Sequence, residues 1–127
     1  MILGIGTDLT EVARIRKTLV QYGDRFLKRI YTDTERAYAS SKANAAERFA
    51  ARFAAKEAAM KAIGTGWRRG VTWKDFEVAN EPSGRPILRM TGMGRQIAEQ
   101  MGVKRTTISL THTAETALAL VILEDGF

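Results

Sequence analysis

Residues 48–66 read RFAARFAAKEAAMKAIGTG, and the way this stretch folds decides the architecture. Alanine has the best helix propensity, no proline interrupts the run, and Gly64 and Gly66 stop it. At about 100° per residue, Phe49, Phe53, Met60 and Ile63 fall on one stripe. Lys56 falls inside that stripe. Glu57 sits on its edge, with Lys61 one turn further along the same flank, and Arg52 lies on the other edge. The remaining face is Ala50, Ala51, Ala54, Ala55, Ala58, Ala59 and Ala62. A surface helix sets its charges opposite the apolar stripe; this one does not. The pattern predicts a helix covered on more than one side, whose alanines admit another backbone or a ligand and whose ionic groups lie at the border. A purely structural account also exists. Glu57 and Lys61 form an i,i+4 pair worth ~0.2–0.5 kcal/mol, and Lys56 can run its stem along the core.

Outward from this helix, the N-terminal side begins with a strand over residues 1–8, where Gly4 and Gly6 permit close backbone approach. A helix follows, with Thr10 as N-cap and Val12, Ile15 and Leu19 on its buried side. Gly23 ends it. DRFLKRIY (24–31) and TDTERAYASS (32–41) read as two short helices, the second capped by a Thr or Asp. On the C-terminal side, FEVAN (76–80) and PILRM (86–90) read as strands around the turn EPSGR. GMGRQIAEQMG (92–102) reads as a helix closed by Gly102. TTISLTHT (106–113) and ALALVIL (117–123) read as strands around Ala114 and Glu115. His112 shares the parity of Ile108 and Leu110. The order predicts an α+β fold with a mainly antiparallel sheet, a long central helix and N-terminal helices, in one domain over residues 1–127.

Composition narrows the chemistry. With no cysteine and one histidine, a disulfide framework, a thiolate zinc site, a cysteine nucleophile and a multi-histidine metal site are excluded within one chain. Any metal would rest on carboxylates, which points to a hard cation such as Mg²⁺. The net charge of +6 favours anionic partners, whether nucleic acid, lipid, phosphorylated cofactor or acidic protein. No apolar run approaches the roughly 20 residues that span a bilayer, and the N-terminus has no basic region ahead of its apolar residues. A cytoplasmic protein without a membrane partner is expected.

Three stretches, GIGTDLTEVARI (4–15), RFAAKEAAMKAIGTG (52–66) and ISLTHTAETALALVI (108–122), occur in an order and spacing that resembles the 4′-phosphopantetheinyl transferases, more narrowly the short holo-acyl-carrier-protein synthase type. The middle stretch fits the family pattern of an aromatic, two residues, Lys-Glu-Ala/Ser, two residues and Lys, here Phe53, Lys56, Glu57, Ala58 and Lys61. The resemblance implies transfer of the 4′-phosphopantetheine arm of coenzyme A to a serine of an acyl carrier protein, in fatty acid biosynthesis by default. Adenosine 3′,5′-bisphosphate is released and Mg²⁺ is required.

The resemblance also assigns residues. Asp8 and Glu57 are implied metal ligands; Glu57, Lys61 and His112 are implied catalytic residues. Arg52, Lys56, Lys61 and His112 are implied cofactor contacts, with Lys56 free either to pair with a carboxylate or to reach a phosphate. Whether Glu57 or a metal-bound water accepts the serine proton stays open. Members of this type are typically homotrimers with active sites between subunits, so His112 can come from a neighbour. The acidic carrier is expected on the first helices, with Arg14, Arg25 and Phe26 as an arginine-plus-aromatic anchor.

The chemistry suits these residue types. Mg²⁺ takes one or two carboxylates and completes its shell with water and substrate phosphate. A lysine supplies a point charge where negative charge builds. A rival reading is a nucleic-acid module, because Trp67, Arg68, Arg69, Trp73 and Lys74 set aromatics among basic residues. No helix-turn-helix, RRM or KH signature accompanies them, so no nucleic-acid partner is expected. A non-catalytic scaffold would have no need of Asp8, Glu57, Lys61 and His112 together. A polyketide or peptide-synthesis carrier remains open as acceptor.

Overall fold

A computed structural model describes residues 1–126; Phe127, the last residue of the expected domain, lies outside the described residues. The elements run β1 (Ile2–Glu11), α1 (Val12–Tyr22), α2 (Asp24–Ile30), α3 (Asp33–Ser40), α4 (Ala45–Ala62), a 3₁₀ turn (Trp73–Asp75), β2 (Phe76–Asn80), β3 (Pro86–Met90), α5 (Gly92–Met101), β4 (Arg105–His112) and β5 (Thr116–Glu124). The α+β expectation holds. The strands form two antiparallel sheets rather than one, of order β1-β5-β4 and β2-β3. FEVAN and PILRM pair with each other through the five-residue turn 81–85.

Helix α4 is the axis of the molecule. Its alanines meet the three-stranded sheet. Ala54, Ala55, Ala58 and Ala59 are buried there with Ala119, Val121 and Leu123 of β5. Strand β1 comes closest: a Cβ added at Gly6 would lie 1.9 Å from the Ala58 carbonyl oxygen, and one at Gly4 would lie 2.2 Å from that of Ala62. What the alanines admit is therefore a glycine-bearing strand. The first half of α4 closes a second cluster, in which Phe49, Ala50 and Ala51 pack with Val12, Ile15, Ile30, Tyr31 and Ala39.

Two local expectations need adjusting. Thr10 is not an N-cap. Strand β1 continues to Glu11, and the Thr10 hydroxyl donates to Asp8 Oδ2 at 2.9 Å instead. Thr10 pairs with Ala117 of β5, and that sheet contact outweighs a cap worth about 1 kcal/mol. Helix α3 does have the cap expected of it: Thr32 accepts from the Glu35 amide, and Glu35 reaches back to the Thr32 amide. Among the described residues no helix is long and apolar enough to cross a membrane.

Candidate active site

Strand β1 sends Asp8 toward α4, because Asp8 shares a face with Gly4, Gly6 and Thr10 and pairs with the fully buried Ala119. Lys61, in the last turn of α4, crosses to it. Its ammonium donates to Asp8 Oδ1 at 3.1 Å and to the Thr7 carbonyl at 2.9 Å. Glu57 lies one turn back on the same flank. Burial raises the Glu57 carboxyl above the ordinary carboxylate range, the negative charge of Asp8 adds to that, and the Trp67 indole N–H and the Lys61 charge partly oppose it. Asp8, Glu57 and Lys61 thus share one electrostatic environment.

The Trp67 contact is specific. Its ring is 65% exposed, yet Nε1 donates to Glu57 Oε2 at 3.1 Å. The ring also stands 5.6 Å from that of Trp73. The spacing of α4 does not reveal this bond, since it depends on the path of the loop after Gly64 and Gly66.

The donor set fits a hard divalent cation. Asp8 and Glu57 are two carboxylates near enough to influence each other's charge, beside a lysine, and carboxylate oxygens are the donors such a cation takes. Among the described residues no group of three or more His, Cys, Asp or Glu side chains is close enough to hold a metal alone. An ion on Asp8 and Glu57 would complete its shell from water and substrate oxygens, which is how Mg²⁺ sites on phosphorylated substrates are built.

A second cluster lies at the other end of α4. His112, ending β4, places Nδ1 3.0 Å from Glu47 Oε1 in the first helical turn. The same cleft is lined by Tyr38, Arg48, Arg52, Asn80 and Pro86. Arg52 is buried. Its Nη2 donates to Asn80 Oδ1 at 2.8 Å, its guanidinium stacks 4.4 Å from the Tyr38 ring centroid, and its Nε has no partner. Among the described residues no carboxylate stands within ion-pair distance of Arg52. A buried cation held by neutral groups leaves a place for an anion. The cleft measures about 140 Å³, below the 300 Å³ or more typical of a complete ligand pocket. It has room for a phosphate-sized group, not for a whole nucleotide cofactor.

The two clusters are separate within the chain. From Glu47 to Glu57 the helix rises about 15 Å, so His112 does not join Asp8, Glu57 and Lys61. Lys56 joins neither. It is completely buried, and its ammonium donates to Glu35 Oε1 at 2.7 Å, the Phe76 carbonyl at 2.7 Å and the Trp73 carbonyl at 3.1 Å. An ammonium has three protons, and all are used. Its assignment as a cofactor contact is therefore corrected; of the two options its position left open, pairing with a carboxylate is the one taken. Glu35, Glu47 and Arg48 were not singled out by sequence, and Trp67 entered only through the nucleic-acid reading. Only Glu35 had a local signal, the Thr-x-x-Glu capping box.

The anchor proposed for an acidic partner is partly assembled. Arg25 and Phe26 line a groove on α1 and α2 with Thr18, Tyr22 and Arg29. Arg14 stands one turn before Thr18 and is exposed. Phe26 is half-buried, edge-on to Tyr31 at 5.9 Å and 6.4 Å from Phe53.

Comparisons with known proteins bear on the family and the fold. Residues 4–121 match the model of the 4′-phosphopantetheinyl transferase superfamily. A holo-(acyl-carrier-protein) synthase of Solibacter usitatus is 58% identical over 98% of this chain and 100% of its own length. The crystal structure of the Neisseria meningitidis synthase superposes with a TM-score of 0.89 at 33% identity, covering 98% of this chain and 99% of that one. The Bacillus anthracis synthase, in complex with CoA (3′,5′-ADP), gives 0.82 at 39% identity and covers 99% of both chains.

Proposed function

Because this chain belongs to the 4′-phosphopantetheinyl transferase superfamily, we propose that it transfers the 4′-phosphopantetheine group of coenzyme A to a serine of an apo acyl carrier protein. The observation that carries the reading is the Asp8–Lys61–Glu57 cluster, held where β1 presses on α4. Magnesium dependence, a role in fatty acid biosynthesis, a cytoplasmic location and the residue roles below belong to the same proposal.

The serine oxygen attacks the β-phosphorus of coenzyme A. A phosphorus–oxygen bond forms to serine, the bond to the bridging pyrophosphate oxygen breaks, and adenosine 3′,5′-bisphosphate leaves. Asp8 and Glu57 would hold Mg²⁺, which would neutralise pyrophosphate charge and orient the phosphates. Lys61 sits at the edge of the same space, where its charge stabilises oxygens that become more negative in the transition state. Either Glu57 or a metal-bound water would accept the serine proton; the burial that raises the proton affinity of the Glu57 carboxyl supports Glu57 in that task.

The Arg48–Arg52–His112 cleft would take a phosphate at the nucleotide end of coenzyme A. Being some 15 Å along α4 from the first cluster, it supports a site completed between chains, with Asp8, Glu57 and Lys61 of one protomer facing His112 of another. The outer face of the three-stranded sheet supports such an assembly: Ile5, Leu9 and Leu118 are 58%, 68% and 41% exposed on it. A cyclic homotrimer burying this face is the arrangement we favour. The acidic carrier would dock on Arg14, Arg25 and Phe26.

The test is to incubate the chain with coenzyme A, Mg²⁺ and an apo acyl carrier protein and weigh the carrier by intact-mass spectrometry. The expected result is a gain of one phosphopantetheinyl group that chelation abolishes. No gain with several apo carriers would overturn the reading.

A further inference from the structure

Glu47 has no part in the reaction as described so far, yet among the described residues it makes the one side-chain hydrogen bond the structure gives His112. Its Oε1 lies 3.0 Å from Nδ1, and each side chain is 21% exposed. A carboxylate can only accept a hydrogen bond, so Nδ1 must carry the proton. In the neutral ring this leaves the lone pair on Nε2; in the charged ring it leaves an N–H there. Only the charged ring can then donate from Nε2 to a phosphate oxygen.

We propose that Glu47 is a positioning residue for this cleft: by holding His112 Nδ1–H it fixes the ring's tautomer and plane, so that Nε2 is presented to the phosphate end of coenzyme A beside Arg48 and Arg52. The inference rests on the reading of the cleft as the cofactor's phosphate pocket. Its geometric support is independent of that reading. Glu47 sits in the first turn of α4 and His112 ends β4, so a single bond pins the sheet end to the helix on which Arg48 and Arg52 stand. Carboxylates behind metal-bound histidines act in this way, and their loss costs 10–100-fold in affinity. A metal takes the Nε2 lone pair, whereas a phosphate oxygen takes an Nε2–H, so here the fixed ring serves the phosphate in its charged form, with Nδ1–H on Glu47 and Nε2–H on the phosphate.

The chain contains one histidine, so its tautomer is read from long-range ¹H–¹⁵N spectra of the labelled protein without assignment. The expected result is a single Nδ1–H form in the native chain. In Glu47→Gln the amide bonds either tautomer, and a mixture is expected at unchanged thermal stability. KM for coenzyme A should rise about tenfold in Glu47→Gln and in His112→Ala, with kcat little changed and no further rise in the double variant. A native form protonated at Nε2 alone, or a tautomer unaltered by Glu47→Gln, overturns the link between the two residues. KM effects that multiply in the double variant overturn it as well. An unchanged KM in His112→Ala overturns the cleft's assignment and the proposal with it, and the spectra tell that failure apart from a failure of the link.

Discussion

Lys56 Nζ lies 2.7 Å from Glu35 Oε1, and both side chains are wholly buried. Glu35 also accepts the Val78 amide through Oε2 and the Thr32 amide through Oε1. The pair therefore ties α3, α4 and the β2 edge at one point. Burial lowers the proton affinity of Lys56, and the Glu35 charge partly restores it. Removing one partner strands the other. Lys56→Met should cost about 3–5 kcal/mol, measured by denaturant unfolding. A Lys56→Met, Glu35→Gln chain should recover part of that loss, because it leaves no isolated charge. Coenzyme A affinity of the folded fraction should stay unchanged, since Lys56 has no proton left for a phosphate.

Gly6 tests the approach of β1 to α4. A methyl group there would meet the Ala58 carbonyl at 1.9 Å and backbone atoms of Ala58 and Ala62 at 2.9 Å, none of which can turn aside. Gly6→Ala should destabilise by about 1–3 kcal/mol. It should also lower turnover in the molecules that remain folded, because Asp8 follows two residues later and would be moved off Lys61. Full activity at normal stability would mean that the strand tolerates displacement and that Asp8 is not set by this contact.

Glu57 separates stability from activity. Its carboxyl holds a proton more tightly in the folded chain than in the unfolded one. Folding is then favoured at low pH, and the native chain loses stability as pH rises from the ordinary carboxylate range through the raised folded value. Glu57→Gln removes this penalty. In metal-free buffer the variant should melt higher than the native chain near pH 8, and the difference should vanish at pH 4. Turnover should fall at least about 100-fold. A variant that works normally at low Mg²⁺ would remove Glu57 from the site.

The fold was legible because α4 announces itself twice, by alanine on one face and by charges in the wrong place on another. The hairpin residues Phe76–Asn80 and Pro86–Met90 were legible because Pro, Ser and Gly mark the turn between them. Asp8, Glu57 and Lys61 came together as expected, two of them by helix periodicity and the third because a glycine strand must pass the alanines. Three things were hidden for physical reasons. Glu35 and Lys56 are 21 positions apart, and Glu47 and His112 are 65 apart; no local period reports such pairs. Thr10 lost its capping role to a sheet register set by β5. The wheel does place Lys56 on the buried stripe, and a buried lysine with nothing nearby in sequence calls for a distant carboxylate.

Separation of the two clusters along α4 yields the sharpest test of the assembly. If each site takes Glu57 from one protomer and His112 from its neighbour, two defective variants should complement each other at coenzyme A well below the native KM, where the His112→Ala chain runs at about a tenth of the native rate. In a chain carrying Glu57→Gln, His112 is intact; in one carrying His112→Ala, Glu57 is intact. Random assortment around a closed ring puts the two intact residues across an interface at about a quarter of sites, so co-expressed chains should regain about a quarter of native activity. Sites built within one chain would regain nothing beyond the residual rate of the His112→Ala chains, because every chain is then defective. Adding Leu9→Lys to both variants places a charge on the outer face of the sheet, where Leu9 is now 68% exposed. It should split the ring into monomers by sedimentation and abolish the recovery. Recovery that survives in monomers would show that the outer sheet face is not the interface that completes the site.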